Sequence, residues 1–542
     1  MKADFDIAVV GSGFGGSLMA MIARRLGRSV VLLERGRHPR FAIGESSTPL
    51  ANLLLEELAD RYDLPRLSPL AKWASWQKTY PQIACGLKRG FTFFHHRLGR
   101  PFAADPARND QLLVAASPRD EMGDTHWYRA DFDAFLVGEA QSLGAEYVDR
   151  VTLDGVFIGN DGLRIEGKHA GRRILLRARF LVDASGPRGF MHRALGLAEN
   201  PVALPTEGLY THFTGVRRWE ELAAVRPGGA KAETPPYPVD DAAMHHVFDG
   251  GWIWVLRFNN GVTSAGVAAA ADLAGELGLG EGPGAWSRLL DRLPTVREQF
   301  RDARAVTAFA HARSLSFRSA AAAGARWALL PSAAGFADPL LSTGFPLALL
   351  GVGRLAEILA TGWESPVLEP MLGDYARQTF EELDAAALLV KALYASMDDF
   401  PLFSALSLLY FAAASFAETA RRMDRAQLAP GFLLHGDAQF GPRLRRLCER
   451  AGRARENPGS TAAARAGLRD EILRAIEPID VAGLSDGSRR SWYPVLADDL
   501  LNSAHKLGAR PNEMRRMLAR CGFPMESAAG PVGERRVTRD GV

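Results

Sequence analysis

The sequence predicts an α/β protein with a parallel sheet at its start, an inserted mixed β-sheet region and a C-terminal all-helical domain. Three observations predict it. The apolar strand Phe5–Val10 is followed by a glycine turn, a helix and a second strand, Ser29–Glu34, which together form a parallel βαβ unit. Short apolar strands such as Trp252–Phe258 then alternate with turns. Beyond about residue 365 the periodicity becomes helical, so we predict domains at residues 1–365 and 366–542.

The turn after the first strand has the glycine spacing of a dinucleotide-binding loop. Gly11 permits the tight turn, Gly13 lets a pyrophosphate approach the backbone, and Gly16 allows close packing of helix on strand. The helix then directs its unpaired N–H groups at the phosphates. Glu34, at the end of the second strand, can accept hydrogen bonds from ribose hydroxyls. Strand, helix and carboxylate together predict a Rossmann-like dinucleotide site rather than a glycine turn without a ligand.

Composition and charge exclude several other functional classes. The 542 residues include 65 basic and 62 acidic side chains, and a net charge of +3 leaves no broad footprint for nucleic acid or an anionic membrane. Hydrophobic residues make up 47% and charged residues 23%, which is typical of a soluble globular protein. Cys85, Cys448 and Cys521 fit neither a disulfide framework nor a metal cluster. We therefore expect a cytoplasmic protein without a metal.

One apolar stretch in the C-terminal part is long enough to be considered as a membrane span. Phe400–Ala417 carries no charge, and its length is at the lower limit for a span. A proline and several small residues weaken that interpretation, and the flanking charges show no asymmetry. We predict a buried helix rather than a membrane contact, and a flexible tail after about residue 528.

Two later strands end in a carboxylate and a turn, and both resemble flavin-contact motifs of the large flavoprotein monooxygenase fold. One contains Asp183 and Gly186, and the other leads to Asp338. The segment His126–Asp133 is similar to the part of that fold whose arginine, here Arg129, reaches the cofactor. The resemblance implies FAD as the dinucleotide. The sequence contains no second strand–glycine turn–helix unit that would bind a nicotinamide.

Three further segments make the resemblance specific. Arg40–Ser46, the pair Trp252 and Trp254, and Asp338–Gly344 are similar to segments of the flavin-dependent halogenases, above all the phenol- and polyketide-type members such as the tetracycline chlorinases. The resemblance covers nearly the whole chain and is weakest in the C-terminal domain. It implies FADH2 from a separate NAD(P)H flavin reductase, O2, and chloride or bromide. Hypohalous acid would form at the flavin and reach a small aromatic substrate through a lysine.

The lysine that this family uses lies in a strand with a glycine two and a phenylalanine five positions later. Lys88, Gly90 and Phe93 match that spacing, and in an alternating strand Lys88, Gly90 and Thr92 share one face. Burial would lower the pKa of this lysine, which could donate a hydrogen bond to hypohalous acid or be halogenated itself. The alternative is a solvated strand lysine. Because the chain has only eight lysines, one at this position favours the catalytic role.

The other site residues also follow from the resemblance. The family binds halide with backbone N–H groups of a Ser-Thr-Gly sequence, here Ser342, Thr343 and Gly344, although a simple helix-entry turn needs the same residues. The two tryptophans would form a wall between flavin and substrate, or alternatively belong to the core. The predicted cofactor-binding residues are Gly11, Gly13, Gly16, Glu34, Arg40, Gly44, Glu45, Ser46, Arg129, Asp183, Gly186 and Asp338.

Two departures from the family pattern concern the substrate. Arg257 stands where the family has a proline after the tryptophan pair, and it could alter the wall. Leu341 stands where the tryptophan halogenases carry a glutamate, so we expect a phenol or pyrrole rather than an indole. A phenol would benefit from a base, for which His95 and His96 are candidates, while surface histidines are the simpler interpretation.

The leading prediction is a flavin-dependent halogenase of natural-product biosynthesis, acting on an aromatic that is free or tethered to a carrier protein. The alternative is a flavin-dependent monooxygenase or oxidoreductase on the same fold without halogenating activity, which Arg257 favours. A third possibility is a non-catalytic flavoprotein that serves as a biosynthetic scaffold.

Overall fold

The computed structural model describes residues 4–202, 204–223, 234–454 and 461–524. Almost all strands precede Gly344, and the longest helices begin there or later. The strands are β1 (Phe5–Val10), β2 (Val30–Leu33), β3 (Cys85–Lys88), β4 (Gly90–His95), β5 (Gln111–Ala115), β6 (Asp124–Trp127), β7 (Glu146–Val148), β8 (Val151–Gly159), β9 (Gly162–His169), β10 (Arg172–Asp183), β11 (Thr206–Thr214), β12 (Ala243–Phe248), β13 (Gly251–Arg257), β14 (Thr263–Ala270), β15 (Arg304–Ala305), β16 (Ala310–Ala312), β17 (Phe317–Arg318), β18 (Ala323–Gly324), β19 (Trp327–Leu329), β20 (Gly335–Phe336) and β21 (Trp492–Tyr493). The helices are α1 (Phe14–Arg25), α2 (Pro49–Arg61), α3 (Trp73–Thr79), α4 (Arg129–Ser142), α5 (Phe190–Ala194), α6 (Trp219–Ala223), α7 (Ala271–Leu277), α8 (Pro283–Asp291), α9 (Pro294–Gln299), α10 (Pro331–Ala334), α11 (Gly344–Thr361), α12 (Leu368–Tyr394), α13 (Phe400–Arg422), α14 (Phe440–Ala454), α15 (Ala462–Ile476), α16 (Ala497–Asn502) and α17 (Pro511–Arg520).

The first sheet is built on the predicted βαβ unit. β1 pairs in parallel with β2 and with β10, and the order along the sheet is β18–β19–β10–β1–β2–β7. Residues 7–10 of β1 and all of β2 are buried, which is the continuous apolar pattern of parallel strands covered on both faces. β8 and β9 continue β10 as an antiparallel extension. The predicted α/β start is confirmed.

The inserted region forms a second, mixed sheet. Its order is β15–β11–β14–β13–β12–β4–β5–β21, with β16 beside β11. Most neighbours are antiparallel, but β12 runs parallel to β4 and β21 runs parallel to β5. Successive side chains of a strand point to opposite faces. On β13, Trp252 and Trp254 therefore belong to the main core, whereas Ile253 and Val255 belong to a separate apolar cluster on the other face.

The prediction of one continuous strand around Lys88 is wrong, because the chain changes sheets at Arg89. Lys88 ends β3, which pairs with β6, whereas Gly90 begins β4 of the second sheet. The amide of Arg89 donates to the carbonyl of Asp241 at 2.7 Å, so the backbone takes a new partner at this residue. Lys88 consequently shares no strand face with Gly90 and Thr92.

The C-terminal part is helical, as predicted, apart from the two-residue strand β21. Two helices of the described chain are long and apolar enough to cross a membrane, Leu340–Thr361 and Phe400–Arg422, and 67% and 78% of their apolar windows are buried in the protein. Core helices of soluble proteins have the same pattern, so this is weak evidence for a span. The apolar stretch that begins at Phe400 forms the buried helix that the sequence predicts.

Two predictions about organisation remain predictions. The division into domains at residues 1–365 and 366–542 stays a prediction. The predicted flexible tail after about residue 528 lies outside the described residues.

Candidate active site

The glycine loop between β1 and α1 has a conformation that excludes side chains at two positions. Gly11 has a φ of +95°, in the left-handed region. A Cβ atom on Gly16 would lie 1.9 Å from the carbonyl oxygen of Gly11, so α1 follows the loop this closely only because residue 16 has no side chain. A Cβ on Gly13 would lie 3.3 Å from Nη2 of Arg129 and 4.0 Å from Nη2 of Arg40. The loop therefore presents bare backbone beside two positive charges.

Arg129 is fixed by bonds to its own helix and to the segment before α2. Nε and Nη2 donate to the two carboxylate oxygens of Asp133, each at 2.8 Å. Nη1 donates to the carbonyls of Ile43 and Gly44, at 3.1 and 2.9 Å. The predicted cofactor segment, residues 40–46, is thus tied to the N-terminus of α4.

Glu34 lies directly after β2, and its carboxylate is bonded to the glycine loop. Oε1 accepts from the Gly36 amide at 2.7 Å, and Oε2 accepts from the hydroxyl of Ser12 at 2.8 Å. Arg40 Nη2 lies 3.3 Å from Oε2. Burial raises the pKa of Glu34, but the hydrogen bond from Gly36 and the charge of Arg40 outweigh burial and lower it. Glu34 is an ionised acceptor beside the loop.

The turn that follows β10 packs against the glycine loop. Asp183 is fully buried and accepts from the Met191 amide at 2.7 Å. A Cβ on Gly11 would lie 2.6 Å from the carbonyl oxygen of Ala184, and Gly186 has a φ of +83°. The structure brings this predicted segment to the loop, while the carboxylate of Asp183 is bonded within its own turn.

The predicted tryptophan pair and the predicted halide turn line one cavity of about 90 Å³. Trp252 and Trp254, with ring centroids 5.6 Å apart, line it together with Ser342 and Gly344. Ser46 lines it as well, with its neighbours at positions 44 and 45. Three segments that are distant in the sequence therefore meet at this cavity.

Asp338 anchors the turn that precedes α11. Its buried carboxylate accepts from the Leu340 amide at 3.0 Å, from Nε1 of Trp252 at 3.2 Å and from the Tyr394 hydroxyl at 3.0 Å. Burial raises the pKa of Asp338 to about 6, against the opposing effect of these hydrogen bonds. The carboxylate therefore links the halide turn, the tryptophan wall and the last residue of α12.

The halide turn itself contains two residues in the left-handed region. Leu341 and Ser342 have φ values of +64° and +56°, which are strained for residues with a side chain. α11 begins at Gly344, and the first amides of a helix have no acceptor within the helix and lie at its positive end. Thr343 is buried just before it. A turn of this geometry can bind a small anion next to the cavity.

Arg257 lies on the opposite face of β13 from the tryptophan pair. Its Nε donates to Asp240 at 3.0 Å, and its Nη1 donates to the carbonyl of Val216 at 2.9 Å. The position after Leu256 alternates away from the cavity. The expectation that Arg257 alters the tryptophan wall is wrong.

Lys88 is completely buried behind Ser46. Its Nζ donates to Oγ of Ser46 at 2.8 Å and to the carbonyl of Ser47 at 2.5 Å, and it lies 3.7 Å from the centroid of the Phe91 ring. Ser46 lines the small cavity, and Phe91 lines a second cavity of about 370 Å³. Lys88 itself lines neither cavity but lies between Ser46 and Phe91, one residue from the wall of each. The alternative of a solvated strand lysine is wrong, because Lys88 is fully buried.

The protonation of Lys88 is sensitive to its surroundings. Burial lowers its pKa to about 7, while the charge of Asp124, directly opposite on β6, acts to raise it. Asp124 is itself buried and lies 3.4 Å from Nζ of Lys72. His126 and His245 also face Lys88, and burial lowers the pKa values of both, so the two rings are neutral near neutral pH. Lys88 can therefore gain or lose a proton near neutral pH.

The larger cavity lies between the second sheet and α13. Phe91 and Val114 of the sheet line it together with Tyr410 and Phe411 of α13. Its volume is in the range of small-molecule sites. The helical C-terminal part therefore forms one side of the candidate substrate cavity.

His95 and His96 face neither cavity. Nε2 of His95 donates to the carbonyl of Met397 at 3.0 Å, and Nε2 of His96 lies 3.0 Å from Nδ1 of His246. His96 is buried, so its interpretation as a surface histidine is wrong. Neither ring is placed to act on a substrate in these cavities.

Several polar residues around Lys88 and the large cavity were not predicted from the sequence. Asp124 precedes the segment of Arg129 by a few positions and Ser47 directly follows Ser46, so a wider window around each motif would have included them. Glu56 of α2 also lines the large cavity, and nothing in its local sequence signals this position.

The residues at the loop and the small cavity fit a flavin nucleotide. The bare loop with its two arginines suits a pyrophosphate, and Glu34 suits a ribose. Glu45 accepts from Nε2 of His212 at 2.7 Å through Oε1, whereas its buried Oε2 has no hydrogen-bond partner among the described residues. A buried acceptor of this kind at the cavity is available to a ligand.

No family model matches the chain. The chain is, however, similar to several known halogenases in sequence and in structure. The chain is 30% identical over 421 residues to the monodechloroaminopyrrolnitrin halogenase of Pseudomonas fluorescens, which covers 75% of this chain and 70% of that protein. It is 32% identical over 357 residues to the tetracycline 7-halogenase of Kitasatospora aureofaciens, with 63% and 60% covered. Among solved structures, halogenase PltM in complex with phloroglucinol and FAD has a TM-score of 0.79 at 24% identity, covering 90% of this chain and 99% of that one.

Proposed function

The chain belongs to the flavin-dependent halogenases, and we propose that it uses FADH2 and O2 to convert chloride or bromide into hypohalous acid, which Lys88 delivers to an electron-rich aromatic. The observation that carries this proposal is the position of Lys88. Its buried amine contacts Ser46, which lines the small cavity with Ser342 and Gly344, and Phe91, which lines the larger cavity.

The residues of the small cavity would hold the cofactor and the halide. The glycine loop, Arg129 and Glu34 would bind the nucleotide, and the amides at Thr343 and Gly344 would bind the halide. Bound FADH2 supplies, with O2, the oxidation of the halide to hypohalous acid. Trp252 would keep the aromatic substrate away from the flavin. Hypohalous acid, which is small, would then move from the flavin to the substrate.

Lys88 has one N–H donor left for the oxidant. An ammonium group has three donors, and Ser46 and Ser47 accept two of them. The third can bind the oxygen of hypohalous acid and polarise the oxygen–halogen bond. The aromatic carbon then takes the halogen, and the ring proton leaves with the hydroxide as water. The reaction consumes one hypohalous acid for each new carbon–halogen bond.

Two observations support the substrate class that we propose. Leu341 lies in the halide turn where a carboxylate would be needed for an indole, which supports a phenol or a pyrrole. The curated relatives include a 1H-pyrrole-2-carbonyl-[peptidyl-carrier protein] chlorinase, so we propose a free or carrier-tethered aromatic. We further propose that a separate NAD(P)H flavin reductase supplies FADH2, because the sequence has a single dinucleotide-binding loop. We also propose a cytoplasmic location.

An aerobic assay tests the proposal directly. The purified protein is given photoreduced FAD, bromide and either monochlorodimedone or phloroglucinol, and the products are identified by mass spectrometry. We expect brominated products that require both FAD and the protein. Hydroxylated products without halogenated ones would instead support a monooxygenase on the same fold.

The Asp124→Asn variant tests whether Lys88 acts in its protonated form. The wild-type amine has a pKa of about 7, so halogenation is expected to fall as the pH rises through that value. Removal of the Asp124 charge lowers the pKa of Lys88 further, so the fall in halogenation should occur at a pH about one unit lower. The measurement is bromination per FADH2 consumed as a function of pH.

Asp120→Asn is the matched control, because Asp120 is an exposed carboxylate that pairs with Arg89 and not with Lys88. We expect its pH profile to coincide with that of the wild type. The proposal that Lys88 acts in its protonated form would be contradicted if halogenation by Asp124→Asn fell at the same pH as that of the wild type, or at a higher pH.

A further inference from the structure

The large cavity follows one face of α13 from an aromatic end to a charged end. Tyr410, Ala414, Glu418 and Arg422 all line it at intervals of four residues. A helix rises 1.5 Å per residue, so Tyr410 and Glu418 are about 12 Å apart along the axis. The cavity is thus longer than one substituted benzene ring.

The aromatic end is the end next to Lys88. The Phe91 ring, which contacts Nζ of Lys88, lies 4.9 Å from the ring of Phe411. The neighbouring Tyr410 is only 2% exposed and lines the cavity. Its hydroxyl makes no hydrogen bond with any described residue and reaches the cavity, where a ligand can bond to it. This end suits the ring that is halogenated.

The charged end contains one carboxylate without a hydrogen bond. Glu418 accepts from Nε of Arg422 at 2.8 Å, and Asp124 lies 3.4 Å from Lys72. Glu56 makes no hydrogen bond with any described residue, and its nearest cation is Arg422, at 3.8 Å. Burial raises the pKa of Glu56, while the charge of Lys72 acts to lower it.

This end of the cavity is lined by charges of both signs. The carboxylates are Glu56, Glu121 and Glu418, and the cations are Lys72, Arg422 and Arg520. An N–H or O–H donor of a ligand, and above all a protonated amine, can form a charge-assisted hydrogen bond with the carboxylate of Glu56.

On the basis of the proposed halogenase function, we propose that the large cavity binds a free aromatic substrate of at least two rings. Its reacting ring lies between Phe91 and Tyr410, next to Lys88, and an amine or hydroxyl at its other end donates to Glu56. The cavity volume of about 370 Å³ accommodates such a molecule. Glu56 then selects the substrate and sets which ring reaches Lys88.

The test compares two phenols that differ only at the far end, 4-phenylphenol and 4′-(aminomethyl)biphenyl-4-ol. We expect wild-type kcat/KM to be about tenfold higher for the aminomethyl compound, since a hydrogen bond to a charged group is lost in the other. In Glu56→Gln the ratio falls to near one. Calorimetry without flavin is expected to show the same loss of preference in binding.

Glu57→Gln is the matched control, because Glu57 is on the same helix but pairs with Arg421 at 2.8 Å and does not line the cavity. It is expected to keep the wild-type ratio. Equal kcat/KM values for the two phenols in the wild type, or a preference that survives in Glu56→Gln, would overturn the inference.

Two further measurements separate the causes of a failure. Bromination of monochlorodimedone by the wild type reports on the halogenase function itself, so its absence would remove both proposals together. If Glu56→Gln does not fold, Ala414→Phe takes its place, because a larger side chain at the middle of the cavity should reduce halogenation of the biphenyl compound far more than that of phloroglucinol. Equal losses for both compounds would overturn the inference.

Discussion

Lys88→Met is expected to lower the rate of halogenation about a thousandfold, while oxidation of FADH2 continues at nearly the wild-type rate. The substitution removes the donor that we propose for hypohalous acid and leaves the glycine loop and the halide turn intact. Methionine is unbranched and apolar, so it can occupy the fully buried position of the lysine. The measurements are bromination of monochlorodimedone and the rate of flavin reoxidation in the same sample.

Lys78→Met serves as the control, because Lys78 is exposed on α3 and lines neither cavity. We expect both of its rates to equal those of the wild type. If halogenation and FADH2 oxidation fall together in Lys88→Met, the lysine has a structural role only. If halogenation persists, the proposed route through Lys88 is wrong.

The same variant has a second signature, in the pH dependence of stability. The pKa of Lys88 is lowered from 10.5 to about 7 by burial, so between these values the unfolded chain holds a proton that the folded protein has lost. Stability rises with pH wherever the unfolded state binds more protons. The free energy of unfolding of the wild type should therefore increase relative to that of Lys88→Met as the pH rises above about 7. Denaturant unfolding at several pH values measures it.

Local patterns in the sequence were sufficient for the parts of the site that lie within one segment. The glycine loop and the tryptophan pair each depend on residues a few positions apart, and the structure has them on the predicted βα turn and strand. Of the two interpretations of Lys88 that the sequence left open, the solvated strand lysine is wrong, because the residue is fully buried. Alternation along β13 could even have placed Arg257 away from Trp252 and Trp254, because it is an odd number of positions from both.

Features that depend on long-range pairing could not be predicted in this way. Lys88 and Asp124 become neighbours only because β3 pairs with β6, and the change of sheet at Arg89 depends on the distant carbonyl of Asp241. Glu56 reaches the large cavity because α2 packs beside α13. No spacing rule within one segment contains this information.

The backbone of the halide turn is a third case. Leu341 and Ser342 adopt left-handed conformations that sequence patterns assign to glycine or asparagine. Their strain is sustained by the bonds of Asp338 to the tryptophan wall and to Tyr394, at the end of α12. The shape of this turn therefore depends on the C-terminal helices.

Gly16→Ala is expected to weaken FAD binding by about a hundredfold or more, equivalent to roughly 3 kcal/mol. The added Cβ would lie 1.9 Å from the Gly11 carbonyl oxygen and 3.0 Å from Cβ of Ala184. Neither can yield without movement of the backbone, because the Gly11 atom is itself backbone and the amide of Ala184 donates to the carbonyl of Val10 at 2.8 Å. α1 would have to move away from the loop, and its unpaired first amides would then lie farther from the FAD phosphates. Titration of the protein with FAD, followed by flavin fluorescence, measures the effect.

Gly15→Ala tests whether this loss is specific to the closeness of loop and helix. Its Cβ would meet only Cδ1 of Leu330, at 3.1 Å, and that methyl group is at the end of a flexible side chain. We expect FAD affinity within about fivefold of the wild type, a change below roughly 1 kcal/mol. Equal losses in the two variants would mean that any added methyl group in the loop impairs the protein. Unimpaired FAD binding by Gly16→Ala would mean that the flavin lies elsewhere, and the roles of Arg129 and Glu34 would fall with it.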